Sequence, residues 1–282
     1  MTIQKARKIR EQVELAKGLK AELIRLVRRK WRSESPGSEM ALHWHELLRE
    51  LELTAESFDL ALKYCAAKDV DRRTSMLTGP FFTSEEFPVP SAATGPMFPV
   101  VQIRLQEAAA AAQEKIGDGL LQLWLDLGTQ KELIRVIPLT KVYRQPMTEF
   151  QWRQSGSDDS FPLPSGWNLD PVGDQVAVIS RLKSAGFQSH TASIEACYWQ
   201  AAGGEPSWLW TLLKLFLQNT PYKSGRKFSL LGVFYPIQYS AAEVDRKCLI
   251  NIADWGASGN AQIFYKTSNG QPTQFSFWSC LR

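Results

Sequence analysis

The sequence predicts an α+β protein: an N-terminal helical region followed by a duplicated, largely antiparallel β body. Three observations support this fold class. Apolar residues recur at helical spacing in the first 70 residues, short segments rich in Val, Ile, Phe and Trp follow, and one two-segment pattern occurs twice. With 44% hydrophobic residues among 282, the chain can bury a core. We place the helical region at 1–70 and the β body at 71–282.

The helical region is expected to contain three helices. From Ile9 to Trp31, apolar residues recur every three or four positions, which is typical of one face of an amphipathic helix. A Pro-Gly pair after residue 35 then breaks the chain, and a second helix is predicted from Glu39 to Leu51. Thr54 can cap a third helix over 55–68.

The β body is expected to consist of short strands interrupted by helices. The strands are predicted near 99–105, 119–127, 133–143, 175–181, 193–200, 229–235, 247–252, 260–266 and 274–279. Helices are predicted at about 106–116, 181–186 and 206–219. Residues 144–174 are dense in turn formers and are interpreted as a long loop.

The repeated pattern is an apolar segment followed by a second one that begins at a glycine. In the first half "VQIRL" precedes "GLLQLW", and in the second half "LINIA" precedes "GNAQIF". We assign backbone freedom at a turn to Gly119 and Gly259. The pattern predicts two copies, at about 74–143 and 175–282, related by a pseudo-twofold axis.

Positive charge is concentrated at the N-terminus. Residues 1–32 contain eleven Lys or Arg and three acids, a net charge of +8, whereas the other 250 residues carry 22 basic and 26 acidic side chains. A basic helix can meet nucleic acid, an anionic membrane surface or an acidic partner, or can simply present a solvated face. Arg28 and Arg29 are candidate binding residues on this helix.

We expect a cytoplasmic protein without a membrane span. No apolar stretch of signal-peptide length follows the basic N-terminus, and the most apolar run, Trp208 to Leu217, has about half the length of a membrane helix. The four cysteines, Cys65, Cys197, Cys248 and Cys280, are far apart and form no CxxC pair. They are interpreted as reduced thiols.

The sequence contains no catalytic or cofactor-binding motif. It lacks a G-x-S-x-G elbow, a Walker loop and a dinucleotide glycine fingerprint. His43 and His45 are two apart on a predicted helix and point to different faces, and His190 is distant, so no zinc site is expected. We expect no cofactor and no metal, and the lack of these motifs favours a non-catalytic protein over an enzyme.

Carboxylates near predicted strand ends leave one site-like position. Asp118, Asp126 and Asp245 lie near strand ends, and in "ADWGASG" Asp254 precedes Trp255 within a glycine-rich loop. Asp254 and Trp255 could contact a ligand or partner, or Asp254 could support carboxylate catalysis. Alternatively, Asp254 bonds backbone N–H groups in a turn and Trp255 packs into the core.

A further candidate contact is Trp167, because tryptophan is favoured at the centres of protein interfaces. It belongs to a set of tryptophans in or near the middle loops. The alternative is that these large side chains belong to the core.

Residues 45–70 have the rhythm of a helix-turn-helix. In that interpretation Lys63, Lys68, Arg72 and Arg73 contact phosphates together with the basic face of the first helix. Glu56 near the start of the supposed recognition helix argues against base contacts, and an ordinary helical hairpin explains the pattern as well.

The β body carries six short motifs in order: "RRTSMLTGPFF", "VQIRL", "GLLQLW", "SLLGVFYPIQ", "CLINIADWGASGNAQIF" and "FSFWSC". This order, over residues 72–282, resembles the YwqG-like family of uncharacterised bacterial proteins. The chain departs from the family's pattern at Thr78, Ala257 and Ser279, where the family has Gly, Asp and Asp, which puts any ligand bound by those aspartates in doubt. The resemblance implies an α+β fold with an internal duplication and supplies no enzyme activity.

Some members of that family lie among genes for secreted toxins, which implies an immunity or accessory role. The sequence therefore predicts a cytoplasmic, non-catalytic protein whose partner is another protein, with immunity against a toxin as the most specific version. The alternative is a nucleic-acid-binding regulator that uses the basic N-terminal helices. A third hypothesis is an enzyme with carboxylate chemistry near Asp254.

Overall fold

A computed structural model shows the architecture of the chain. It describes residues 3–53, 55–65, 69, 71–93, 95–129, 131–151, 176–188, 191–219, 229–231, 247–255, 259–268 and 271–280. The helices are α1 (Ile3–Ser33), α2 (Glu39–Leu53), α3 (Leu105–Ala112), α4 (Leu139–Arg144), α5 (Thr191–Ala201) and α6 (Trp208–Asn219). The strands are β1 (Ala55–Cys65), β2 (Met76–Leu77), β3 (Ser91–Ala92), β4 (Gly95–Pro96), β5 (Phe98–Arg104), β6 (Leu120–Leu125), β7 (Glu132–Ile137), β8 (Val176–Gln188), β9 (Ser229–Leu231), β10 (Lys247–Trp255), β11 (Gly259–Ser268) and β12 (Gln271–Cys280).

The chain divides into two compact units, each of which is discontinuous in sequence. The helical unit contains α1, α2, α5 and α6, and the sheet unit contains α3, α4 and most of the strands. The boundary near residue 70 that the sequence predicts therefore differs from this division, because α5 and α6 group with the N-terminal helices.

Helix α1 packs against α2 and α6, and α2 packs against α5, so the helical unit has one shared core. Buried residues on α1 recur at helical spacing, which is the amphipathic pattern that the sequence predicts. The core comprises Leu23, Leu26, Val27, Trp44, Leu47, Leu48, Leu51, Ile194, Tyr198, Ala201, Leu209, Leu213 and Phe216. The predicted break between α1 and α2 is confirmed, with Gly37 at φ +80° and the Ser38 hydroxyl accepting a hydrogen bond from the Ala41 N–H at 3.1 Å.

The sheet unit is built on ten strands in the order β12-β11-β10-β9-β1-β8-β2-β5-β6-β7. Every described pairing is antiparallel, including β5 with β6 and β10 with β11. Cα atoms of the two edge strands, β7 and β12, approach within 8 Å, so the sheet curves until its edges nearly meet. The predicted α+β class is confirmed.

Three predicted elements are wrong. The predicted helix over 55–68 is strand β1, the predicted helix over 181–186 lies within strand β8, and the predicted strand over 193–200 is helix α5. In α5 the buried residues Ile194, Tyr198 and Ala201 lie on one helical face, which overrides the β preference of its aromatic residues. The second part of the predicted strand 133–143 is helix α4.

Strand β1 shows why local helix propensity misled the prediction. Five of its eleven residues are Ala, Leu or Lys, which favour helices. The same sequence also alternates, with Phe58, Leu60, Leu62 and Tyr64 at every second position, which is the strand period. Because β1 lies between β9 and β8 in the sheet, pairing on both sides decides its conformation.

Candidate binding groove on helix α1

The exposed face in the C-terminal half of α1 forms a concave surface that we call the arginine groove. The cavity has a volume of about 460 Å³, and its lining among the described residues is Ala21, Ile24, Arg25, Arg28, Arg29 and Arg32. These positions lie on one side of the helix because they recur every three or four residues. Four guanidinium groups therefore surround a small apolar floor.

Two of the four arginines are already paired with acids of the chain. Arg25 binds Glu22 on the same helix through two hydrogen bonds, of 2.9 and 2.5 Å, and Arg28 Nη2 lies 2.8 Å from Glu52 Oε1 on α2. The hydrogen bonds from Arg25 hold the pKa of the Glu22 carboxyl below its usual range. These intramolecular pairs neutralise part of the positive charge of the groove.

The other two arginines, Arg29 and Arg32, are exposed and have no carboxylate within 4 Å in the described part of the chain. Arginine is suited to anion binding because its planar fork of N–H groups matches the two oxygens of a carboxylate or phosphate.

Lys20 immediately precedes the first residue of the groove and stabilises the contact between α1 and α2. Its ammonium group donates to the backbone oxygen of Glu52, at the end of α2, at 3.5 Å. Burial lowers the pKa of Lys20 to about 8. A cation at the C-terminal end of a helix is favourable, so Lys20 holds the Glu52 side of the groove in place.

Two kinds of chemical group line the groove. Its described lining contains alkyl and guanidinium groups, and none of these residues is a nucleophile or a general base at neutral pH. Of the predicted site residues, Arg28 and Arg29 are brought together here. Arg25, Arg32 and Ile24 were missed as site residues, although their spacing from Arg28 places them on the same helical face.

The position of Asp254 and Trp255 differs from the predicted glycine-rich loop, because both belong to strand β10. The side chain of Asp254 lies outside the described part of the chain. Trp255 is only 1% exposed and its ring packs edge-on against Phe277, with 5.7 Å between ring centroids. Trp255 thus packs into the core, which is the alternative to a ligand contact that the sequence analysis offered, and it presents no surface to a ligand.

Trp167 and Asp245 lie outside the described residues, as does His190. Trp199 and Trp210 pack together beside Tyr198, with ring centroids 4.7 to 5.4 Å apart. They belong mainly to the helical core, whereas Trp208 at the start of α6 is 60% exposed.

The described carboxylates near strand ends act in turns and surface contacts. Asp126 is buried and accepts hydrogen bonds from the Gly128 N–H at 3.1 Å and the Thr129 hydroxyl at 2.5 Å, which is ordinary turn chemistry. Asp118 accepts a hydrogen bond from the side-chain amide of Gln106. Neither carboxylate faces a described cavity.

The helix-turn-helix interpretation is wrong, because a strand replaces the supposed recognition helix. Arg72 donates to the backbone oxygens of Pro80, Phe81 and Thr148 and to the Thr83 hydroxyl, at 2.6 to 3.2 Å. Burial, together with the neighbouring charge of Arg73, lowers the pKa of Arg72 to about 10.

Arg73 donates to the Val142 oxygen at 3.1 Å and stacks over Phe82. Both arginines hold backbone segments of the sheet unit together, and neither presents the free phosphate contact that the sequence suggested. Lys68 lies outside the described residues, and so does the side chain of Lys63.

The histidines and cysteines show no shared site in the described chain. His43 lies 3.5 and 3.6 Å from the carboxylates of Glu46 and Glu39, while His45 packs against Trp31 on another face of α2. Cys197 and Cys248 are free thiols, and burial raises their pKa to about 11 and about 12. Neither thiol ionises readily at neutral pH.

No protein-family model matches the chain, and no curated protein is significantly similar to it. The resemblance to the YwqG-like family stays a prediction. Within the described residues, no helix is both long enough and apolar enough to span a lipid bilayer.

Proposed function

We propose that the protein is a non-catalytic binding protein that holds an acidic surface of another protein in the arginine groove of α1. The observation that carries this proposal is the pair Arg29 and Arg32, two exposed guanidinium groups without a described acid partner beside an apolar floor. Guanidinium groups bind carboxylates in defined geometry, and arginine is enriched at the centres of protein interfaces.

The lining of the groove favours a protein over a nucleic acid. A protein surface can cover the apolar floor made by Ala21 and Ile24, whereas a sugar-phosphate backbone gains little from it. Proteins that bind single-stranded nucleic acid add aromatic side chains for base stacking, and the described lining contains none.

An immunity or accessory role against a secreted toxin, in the cytoplasm, is the most specific form of this proposal. The resemblance of residues 72–282 to a family of which some members lie among genes for secreted toxins supports it. In this form the protein binds its partner in a one-to-one complex and turns over no substrate.

The experiment is a nuclease-treated pull-down with the full chain as bait, followed by reconstitution of the purified partner. Isothermal titration should give one partner per chain. Arg29→Glu combined with Arg32→Glu should weaken binding by about tenfold or more, since each reversal replaces an attraction by a repulsion. Lys115 and Lys131 are exposed lysines of the sheet unit, and reversing both is a control with the same change in net charge.

Equal affinity of the partner for the Arg29/Arg32 double variant and for the Lys115/Lys131 double variant would contradict binding through the groove. Recovery of nucleic acid alone, with an affinity that falls steeply as salt is raised, would favour the nucleic-acid-binding regulator instead.

A further inference from the structure

The arginine groove consists of two parallel rows of side chains on α1. Ala21, Ile24 and Arg28 form one row with steps of three and four residues, and Arg25, Arg29 and Arg32 form the second row with steps of four and three. Steps of three and four are the spacing at which one α-helix packs along another. The first row is largely apolar and the second is entirely cationic.

We infer that the occupant of the groove is an acidic amphipathic α-helix of the partner protein. This inference rests on the proposed function and names the chemistry of the partner at the same site. The partner helix places small or aliphatic side chains against Ala21 and Ile24. It places Asp or Glu at intervals of three or four residues against the row that contains Arg29 and Arg32.

The dimensions of the groove fit about three turns of such a helix. Its lining runs from residue 21 to residue 32, which corresponds to about 16 Å along the axis of α1 at 1.5 Å per residue. A helix that lies in a groove is recognised through side chains at positions i, i+3, i+4 and i+7, and three turns present that set.

The two acids that pair with groove arginines determine which arginines a partner can bind first. Glu22 and Glu52 occupy Arg25 and Arg28, so a partner must displace them before it can use those guanidinium groups. Arg29 and Arg32 have no described acid to displace. Charge pairing with the partner is therefore concentrated on Arg29 and Arg32, while the stems of Arg25 and Arg28 contribute contact area.

The test uses the full chain and a labelled synthetic peptide of about 18 residues, long enough for the roughly three turns required. Its Glu residues follow one helical face and its Leu and Ala residues the adjacent face. A second peptide has the same composition in scrambled order. Fluorescence anisotropy should show tighter binding of the patterned peptide by about tenfold.

Arg29→Glu and Lys30→Glu form a matched pair on adjacent residues. Both positions are exposed and both substitutions change the charge by the same amount, but Lys30 does not line the groove. We expect Arg29→Glu to weaken binding of the patterned peptide about tenfold or more and Lys30→Glu to weaken it less than about threefold. Arg32→Glu should repeat the effect of Arg29→Glu, and circular dichroism checks that each variant is folded.

Equal binding of the two peptides, or equal effects of Arg29→Glu and Lys30→Glu, would overturn the helix inference. If the native partner still requires Arg29 while the patterned peptide does not bind, the inference fails and the proposed function stands. If neither the peptide nor the native partner responds to Arg29→Glu, both fail. Tighter binding of a short DNA duplex than of the patterned peptide, lost in Arg29→Glu, would assign the groove to nucleic acid.

Discussion

At the scale of single residues, Gly119 has a conformation that few other residues can adopt. Its φ angle is +144°, and a Cβ atom at this position would overlap the carbonyl oxygen of Ile137 on the neighbouring strand. Gly119→Ala should therefore lower the free energy of unfolding by about 2 kcal/mol or more, through both strain and overlap. Urea denaturation followed by circular dichroism measures this change.

Gly18→Ala is the control for that substitution. Gly18 lies in the interior of α1, and a Cβ atom there would meet nothing within 4 Å. Alanine is favoured over glycine inside helices, so Gly18→Ala should stabilise the protein by up to about 1 kcal/mol. Equal losses in the two variants would show that the backbone of Gly119 carries no special constraint.

The residues also show what the sequence could and could not predict about the site. The φ angle of Gly119 confirms the backbone freedom that the sequence assigned to it. This assignment was possible because a glycine that opens a strand after a loop is a local signal. Arg72 and Arg73 carry no local signal that separates them from surface arginines. Their roles depend on backbone oxygens up to 76 positions away in sequence, and those contacts exist only in the folded chain.

At the scale of elements, Glu114 joins the end of α3 to strands β10 and β11. Its carboxylate accepts hydrogen bonds from Lys247 at 2.5 Å, Thr267 at 3.1 Å and Tyr265 at 3.3 Å. Partial burial raises the pKa of Glu114, but the hydrogen bonds and the charge of Lys247 outweigh that effect, so the pKa lies below its usual range.

Glu114→Gln should therefore lower stability at pH 7, and the difference from the unmodified protein should shrink in acid. A carboxyl group whose pKa is lower in the folded chain than in the unfolded chain stabilises the fold at pH values above its unfolded pKa, which is about 4.3. This stabilisation is lost as the pH falls through the pKa of the folded chain. Urea midpoints measured from pH 7 down to pH 3 test this. Glu132→Gln, at an exposed position on β7, is the control. A stability difference between Glu114→Gln and the unmodified protein that stays constant with pH would contradict the lowered pKa of Glu114.

Among the elements, those with a single strong period were predicted and those with mixed signals were not. Helix α1 has a long amphipathic repeat, and β5 and β6 are short apolar runs bounded by turn residues, so all three were predicted close to their observed bounds. Strand β1 combines helix-forming residues with a strand period, and its place between β9 and β8 depends on distant parts of the chain.

At the scale of the whole molecule, the sheet has a symmetric order of strands. The series β2-β5-β6-β7 on one side of the central pair β1 and β8 corresponds to β9-β10-β11-β12 on the other. Buried amides occupy matching places, since Gln102 lies opposite Gln122 in the first series and Asn251 lies opposite Gln262 in the second. This arrangement is what a duplication would produce, and the duplication itself stays a prediction.

The two halves use these amides differently, which leads to a whole-molecule prediction. The Gln102 side chain accepts hydrogen bonds from the Phe82 N–H at 3.0 Å and from Gln122 at 2.6 Å. It donates to the oxygens of Arg72 and Thr74, at 3.0 and 2.7 Å. The side-chain oxygen of Asn251, Oδ1, is buried without a described hydrogen-bond partner.

Gln102→Leu should therefore cost about 2 to 5 kcal/mol of unfolding free energy, because several buried groups lose their partners at once. Asn251→Leu keeps a similar volume and removes a buried oxygen that bonds to nothing described, so it should change stability by less than about 1 kcal/mol. Urea titrations of both variants measure the two unfolding free energies. The dependence of unfolding free energy on urea concentration shows whether either substitution changes the cooperativity of unfolding. Equal losses would mean that Asn251 satisfies an essential contact, and that both halves depend on their buried amides to the same degree.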